Sequence, residues 1–95
     1  MTDLELERSL RTLRRTVLML QTELRHGRLE EEILQDIDQQ MERGIATDER
    51  CASLIPAVDR LRESTLTPRN ELLGDTIRAC DKLMDAIAVL LDRLR

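Results

Sequence analysis

The sequence predicts an all-α fold, an antiparallel bundle of four helices, and three observations carry that prediction. First, two long segments repeat apolar residues at alternating three- and four-residue steps. The first is Leu6, Leu10, Leu13, Val17, Leu20 and Leu24; the second is Leu73, Ile77, Cys80, Met84, Ile87, Leu91 and Leu94. This spacing keeps one stripe of a helix turned toward a partner helix. Second, none of the 95 residues is Phe, Tyr or Trp, so Leu, Ile, Val and Met must fill the core. Third, charged residues make up 36% of the chain, enough for long solvated helix faces, while 41% apolar content is too high for a disordered one. A chain of this length makes one domain, residues 1–95, with no room for a second core.

The first helix is expected over Asp3–Arg25. Asp3, Glu5 and Glu7 suit its positive N-terminal end, and Arg25 and His26 its negative C-terminal end. Gly27 is positioned to close it in a left-handed conformation, the alternative being one longer helix that tolerates Gly27 in its interior. A second helix is expected over Leu29–Arg43, with Leu29, Ile33, Leu34, Ile37 and Met41 on one face and Glu30, Glu31 and Glu32 in its first turn. Gly44 followed by Ile45 is the glycine-then-hydrophobe order of a helix stop. Thr47 reads as the N-cap of a third helix, with Cys51, Leu54, Val58 and Leu61 on its stripe. Pro56 falls inside that helix and lacks the N–H that would reach the carbonyl of Ala52. A kink at Pro56 is therefore expected, or a short helix before it and a second one after it. Thr67-Pro68 marks the next start, since Thr caps and Pro suits the first helical position.

The fourth helix is expected to run to about Leu94. From Leu83 to Leu91 it is apolar nearly all round, so it should be central to the bundle or the element used in self-association. Ile77, Met84, Ile87, Leu91 and Leu94 are the residues expected in a coiled-coil-like seam between two copies, giving a homodimer. Gly74, poor for a helix, suggests a close helix crossing.

The net charge of −4 opposes general affinity for nucleic acid or anionic membrane. The sum conceals an asymmetry. Residues 1–28 carry six arginines and four acids, net +2, and residues 29–47 carry six acids and one arginine, net −5. A basic first helix beside an acidic second one reads most simply as an attracting pair. The start, Met1 to Glu7, is acidic and has no apolar run, so no targeting segment is expected, and the longest apolar run, Ala86–Leu91, is far short of a membrane span. Cys51 and Cys80 are isolated at apolar positions and suit a reduced, cytoplasmic setting.

Chemistry has little to work with. His26 is the only histidine and is explained by its place at a helix end. The two cysteines and His26 lack metal-ligand spacing, the three glycines stand apart and so form no phosphate loop, and no nucleophile has an evident base. The expectation is a non-enzyme without metal or cofactor.

Two features point outward instead. Arg8, Arg11, Arg14 and Arg15 cluster along one side of the first helix, where they can pair with Glu5, Glu7 and the acidic second helix, or contact phosphates or an acidic partner. Leu18 and Met19 lie off the Leu6–Leu24 stripe, with Leu4 nearly in line with Leu18. They either widen the core contact or form an exposed surface for a partner's amphipathic helix. The residues expected to bind a partner are therefore Leu4, Leu18, Met19, Arg8, Arg11 and Arg15. In size, acidity and helicity the chain is similar to the small helical chaperones of bacterial secretion systems, traits shared by many unrelated proteins. The expected function is that of a protein-binding adaptor, chaperone or inhibitory regulator. The alternative is a nucleic-acid-linked regulator that uses the arginine stripe.

Overall fold

The 4-3 apolar spacing near the start becomes one uninterrupted helix, α1, over Asp3–Arg25 in the computed structural model, which describes residues 1–66 and 73–94. Thr2 caps it: its Oγ1 accepts the Glu5 N–H at 3.2 Å and donates to Glu5 Oε1 at 3.0 Å. The first bond is that of a capping box, while the Glu5 carboxylate takes the Thr2 hydroxyl in place of the Thr2 backbone N–H. At the other end Gly27, with φ +78°, forms the expected stop. The Arg28 N–H bonds to the Glu23 carbonyl and the Gly27 N–H to that of Leu24, the two bonds of a Schellman closure.

Helix α2 spans Glu31–Gln40, shorter than expected at both ends. It runs into a wide turn, Met41–Ile45, in which Gly44 has φ +113° and the Ala46 N–H bonds to the Met41 carbonyl at 2.8 Å. The backbone leaves helical geometry only at Arg43 and Gly44, so the stop falls close to where the glycine placed it, through a wider turn than an α-helix makes.

The region after the stop departs from expectation. Thr47 is not an N-cap; its hydroxyl donates back to the Gly44 carbonyl. Asp48 caps instead, accepting the Arg50 N–H at 2.9 Å, and starts only a single 3-10 turn, Glu49–Cys51. Helix α3 then occupies Leu54–Thr65. The break therefore falls at Ala52 and Ser53, and Pro56 sits in the first turn of α3 rather than inside a longer helix. No intrahelical donor is required there. The Ala52 carbonyl is used by the Ile55 N–H. The expected boundary at Thr67-Pro68 lies outside the described residues. Helix α4 is described over Leu73–Arg93.

The four helices pack into a rod of 40 × 21 × 19 Å, and no described residue is in a strand. Helix α1 packs along α4 and α2, and α3 along α4. Neighbours run antiparallel. Gln40 late in α2 meets Thr16 in the middle of α1, and Arg62 of α3 pairs with Asp38 of α2. Ser64 at the end of α3 meets Thr76 near the start of α4, and Gln21 near the end of α1 reaches Ile77 and Asp81 of α4. One continuous core results, with Leu6, Leu10, Leu13, Val17 and Leu20 from α1, Leu54 and Leu61 from α3, and Cys80, Leu83 and Ile87 from α4 at or near zero exposure.

Two polar links pin this packing. The Gln21 side chain is buried, and its Nε2 donates to the Ile77 carbonyl at 3.1 Å and to Asp81 Oδ1 at 2.7 Å. Thr16 is buried as well. Its Oγ1 donates to the Thr12 carbonyl and accepts from Gln40 Nε2 at 2.8 Å.

Candidate interaction face

Eight side chains of α1 are buried, and at 100° per residue the arc opposite them falls on Leu4, Arg8, Arg11, Arg15, Leu18 and Thr22, with Met19 beside it. All are solvent-exposed; Leu4, Leu18 and Met19 are 56%, 51% and 53% accessible. The six residues expected to bind a partner thus share one outward strip, apolar at both ends and cationic in the middle. Leu18 and Met19 do not widen the core contact.

The electrostatics of the strip differ from expectation. Arg11 pairs with Glu7 one turn back, at 2.9 Å. Arg8, Arg14 and Arg15 have no described carboxylate within ion-pairing distance, and no arginine of α1 pairs with an acid of α2. Exposed Glu31, Glu32 and Asp36 of α2 and Glu42 of the turn after it are likewise without an ion pair among the described residues. The two helices are joined by apolar packing and the Gln40–Thr16 hydrogen bond, and the acid of α2 that does pair, Asp38, turns to Arg62 of α3. The charge asymmetry between α1 and α2 is therefore left facing solvent.

Where the strip borders α2 it becomes concave. Arg15, Leu18, Met19, Thr22 and Glu23 of α1, with Ile33 of α2, line an open groove of about 270 Å³. Ile33 is half-buried against the core edge and forms the floor, while Glu23 is already engaged by Arg28. A second depression lies between the same helices nearer the other end, lined by Arg8, Ser9, Thr12, Gln40, Arg43 and Ile45. Gln40 Oε1 is buried there without a described partner, because its amide nitrogen is held by Thr16.

The seam residues of α4 fall elsewhere. Ile87 and Leu91 are buried within the chain's own core, and Ile77, Met84 and Leu94 are half-buried against it. The stripe is filled by α1 and α3 of the same chain, so Ile87 and Leu91 have no surface left to offer a second copy. Gly74 marks no close crossing either: a Cβ there would meet only the Arg78 guanidinium at 3.7 Å.

Groups able to do chemistry are isolated. His26 is exposed, its Nδ1 lies 2.8 Å from the Thr22 carbonyl, and it caps α1 as its position implied. Cys51 and Cys80 are free and fully buried. Burial pushes both thiols up, Cys80 to about 12, which keeps them protonated and unreactive. No group of three or more described His, Cys, Asp or Glu side chains is arranged to hold a metal ion, and no described helix is long and apolar enough to cross a membrane.

Half-buried Asp48 and exposed Arg50 perturb each other in the turn before α3. The Arg50 guanidinium bonds Asp48, Asp3 and the Met1 carbonyl, tying the 3-10 turn to the start of α1. Its bonds hold the Asp48 carboxyl down at about 2. The chain matches no protein-family model, no curated protein and no solved structure.

Proposed function

We propose that this chain is a non-catalytic protein-binding module, an adaptor, chaperone or inhibitory regulator, that engages its partner through the outer face of α1. The observation that carries the reading is the exposure of Leu4, Leu18 and Met19 on one strip with Arg8, Arg11 and Arg15. Leu18 and Met19 adjoin Ile33 in one apolar concavity, the kind of surface that another protein can cover, and Leu4 extends the strip away from it. The two buried, free thiols fit a reduced cytoplasmic setting. On α4, exposed Val89 and half-buried Ile77, Met84 and Leu94 are among the apolar side chains a second copy could reach.

The second reading is a nucleic-acid-linked regulator. What favours it is that Arg8, Arg14 and Arg15 lack a described ion-pair partner. The acidic net charge and the missing aromatic side chains oppose it. Capture from lysate with the tagged chain, in nuclease-treated and untreated halves, separates the two. The first reading expects a stoichiometric protein that survives nuclease and is lost with Leu18→Glu/Met19→Glu. Recovery that requires intact nucleic acid, and that Arg8→Glu/Arg15→Glu abolishes, replaces it with the second.

A further inference from the structure

Building on the reading of α1 as a protein-binding face, we infer that the occupant of that face is an acidic amphipathic helix. Three features define its chemistry. The strip runs from Leu4 to Met19, about 22 Å at about 1.5 Å per residue, which is the length of a helix of about four turns. Its middle carries Arg8 and Arg15, whose guanidinium groups lack a described carboxylate and so are open to complementary charge on a partner. Its apolar part is concave, with Ile33 as the floor and Leu18 and Met19 as one wall. A furrow between two antiparallel helices accepts the ridge of a third, with anchors at i, i+3 and i+4.

The surroundings select against broader polyanions. Exposed Glu32 and Asp36 stand on α2, the helix that lines the groove together with α1, without ion pairs among the described residues. An anionic membrane or a nucleic-acid duplex presents negative charge over an area wider than one helix and would meet these carboxylates. A single helix of about 10 Å diameter fits over α1 and can turn its polar side away from α2.

The probes are fluorescein-labelled peptides of about 16 residues, designed with leucines at i, i+3, i+4 and i+7 and with glutamates flanking that face. Control peptides replace every glutamate with lysine, or every flanking glutamate with glutamine. Binding is read by fluorescence anisotropy at about 50 and about 300 mM NaCl, since screening weakens exposed charge pairs across that range. The acidic peptide is expected to bind saturably and at least about tenfold more tightly than either control. It should weaken by at least about tenfold with R8E/R15E, and on raising the salt. L18E/M19E and the uncharged L18Q/M19Q should abolish its binding, with circular dichroism confirming that each variant keeps its helicity.

Equal binding of the control peptides, still lost with L18Q/M19Q, overturns the acidic partner and leaves the α1 face standing. Acidic-peptide binding that L18E/M19E and L18Q/M19Q leave unchanged overturns both. Parallel arms use vesicles of three parts phosphatidylcholine to one part phosphatidylglycerol, about 20 base pairs of duplex DNA, and the chain alone by sedimentation. Binding of vesicle or duplex in place of peptide, self-association that R8E/R15E abolishes, or no binding by any probe each overturns the inference.

Discussion

Leu13 and Met19 stand six residues apart on α1, about a third of a turn apart around the helix, one at zero exposure and the other half in water. Truncating each to alanine should separate core from surface. Leu13→Ala leaves a cavity among close-packed neighbours and is expected to cost about 2–5 kcal/mol, whereas Met19→Ala should stay within about 0.5 kcal/mol. Urea unfolding followed at 222 nm measures both. Gln21 is the polar counterpart of Leu13. Gln21→Ala removes its bonds to the Ile77 carbonyl and to exposed Asp81, at a cost of about 0.5–1.5 kcal/mol for each bond lost. Nothing in the sequence marked Gln21 as buried, because its partners are about 60 positions away on α4 and a lone Gln beside an apolar stripe usually faces solvent. The apolar stripe itself was readable, since each Leu is placed by local periodicity. Cys80 makes a further test. Its raised folded value keeps the native thiol protonated, so a disulfide reagent near neutral pH should label it only as fast as the bundle opens. The sign for stability follows. The contribution is fully present below the ordinary thiol value of 9.0 and is lost as pH rises from there through about 12.

The three glycines differ in what they do for their elements. Gly27 and Gly44 occupy left-handed φ values that end α1 and the turn after α2, and Gly74 does not. Gly27→Ala should therefore lower stability by about 1–2 kcal/mol. Gly44→Ala should do so by a similar amount, set by its φ of +113°, since the Met1 methyl its Cβ would meet is the movable end of an exposed side chain. Gly74→Ala has room and should raise stability by roughly 0.5 kcal/mol, as replacing glycine in a helix generally does. Thermal unfolding of the three variants gives the signs directly. The cap at Asp48 adds a pH dependence. Its carboxyl is held at about 2 against an ordinary 3.8. Its stabilisation is complete above the ordinary value and is lost as pH falls from about 4 through about 2. Asp48→Asn should flatten that part of the acid unfolding curve. Helix ends were the least readable part of the sequence. Gly27 could be read because a glycine after a basic last turn has one common use. Thr47 and Asp48 compete for the same capping role, and only the fold of the preceding turn, which hands the Thr47 hydroxyl to Gly44, decides between them.

At the level of the whole chain, the sequence contained the number of helices and the identity of most core residues, but not which faces meet. The periodic stripe of α4 had two possible uses, a core within one chain or a seam between two. Choosing between them requires knowing that α1 and α3 both reach α4. The same holds for the arginines. Their clustering is visible in the sequence, whereas their lack of partners on α2 depends on how α2 is rotated, with Asp38 toward Arg62 and the other acids outward. A consequence of scale follows from that rotation. The molecule carries separate patches of opposite sign on adjacent helices, so association with charged partners should depend on salt more steeply than a net charge of −4 suggests.

Helix α1 holds the bundle together with one side and presents the proposed binding strip with the other, over the same 23 residues. Folding and binding are therefore linked through a single element. A partner that grips the strip recognises the folded chain only, and at about 100 times its dissociation constant it would add about 2.7 kcal/mol to unfolding. The linkage also runs in reverse. A cavity beneath the strip, as in Leu13→Ala, lowers the folded fraction and with it the apparent affinity, although no contacting residue has changed. For this chain, loss of binding identifies a contact residue only after the melting temperature has been shown to hold.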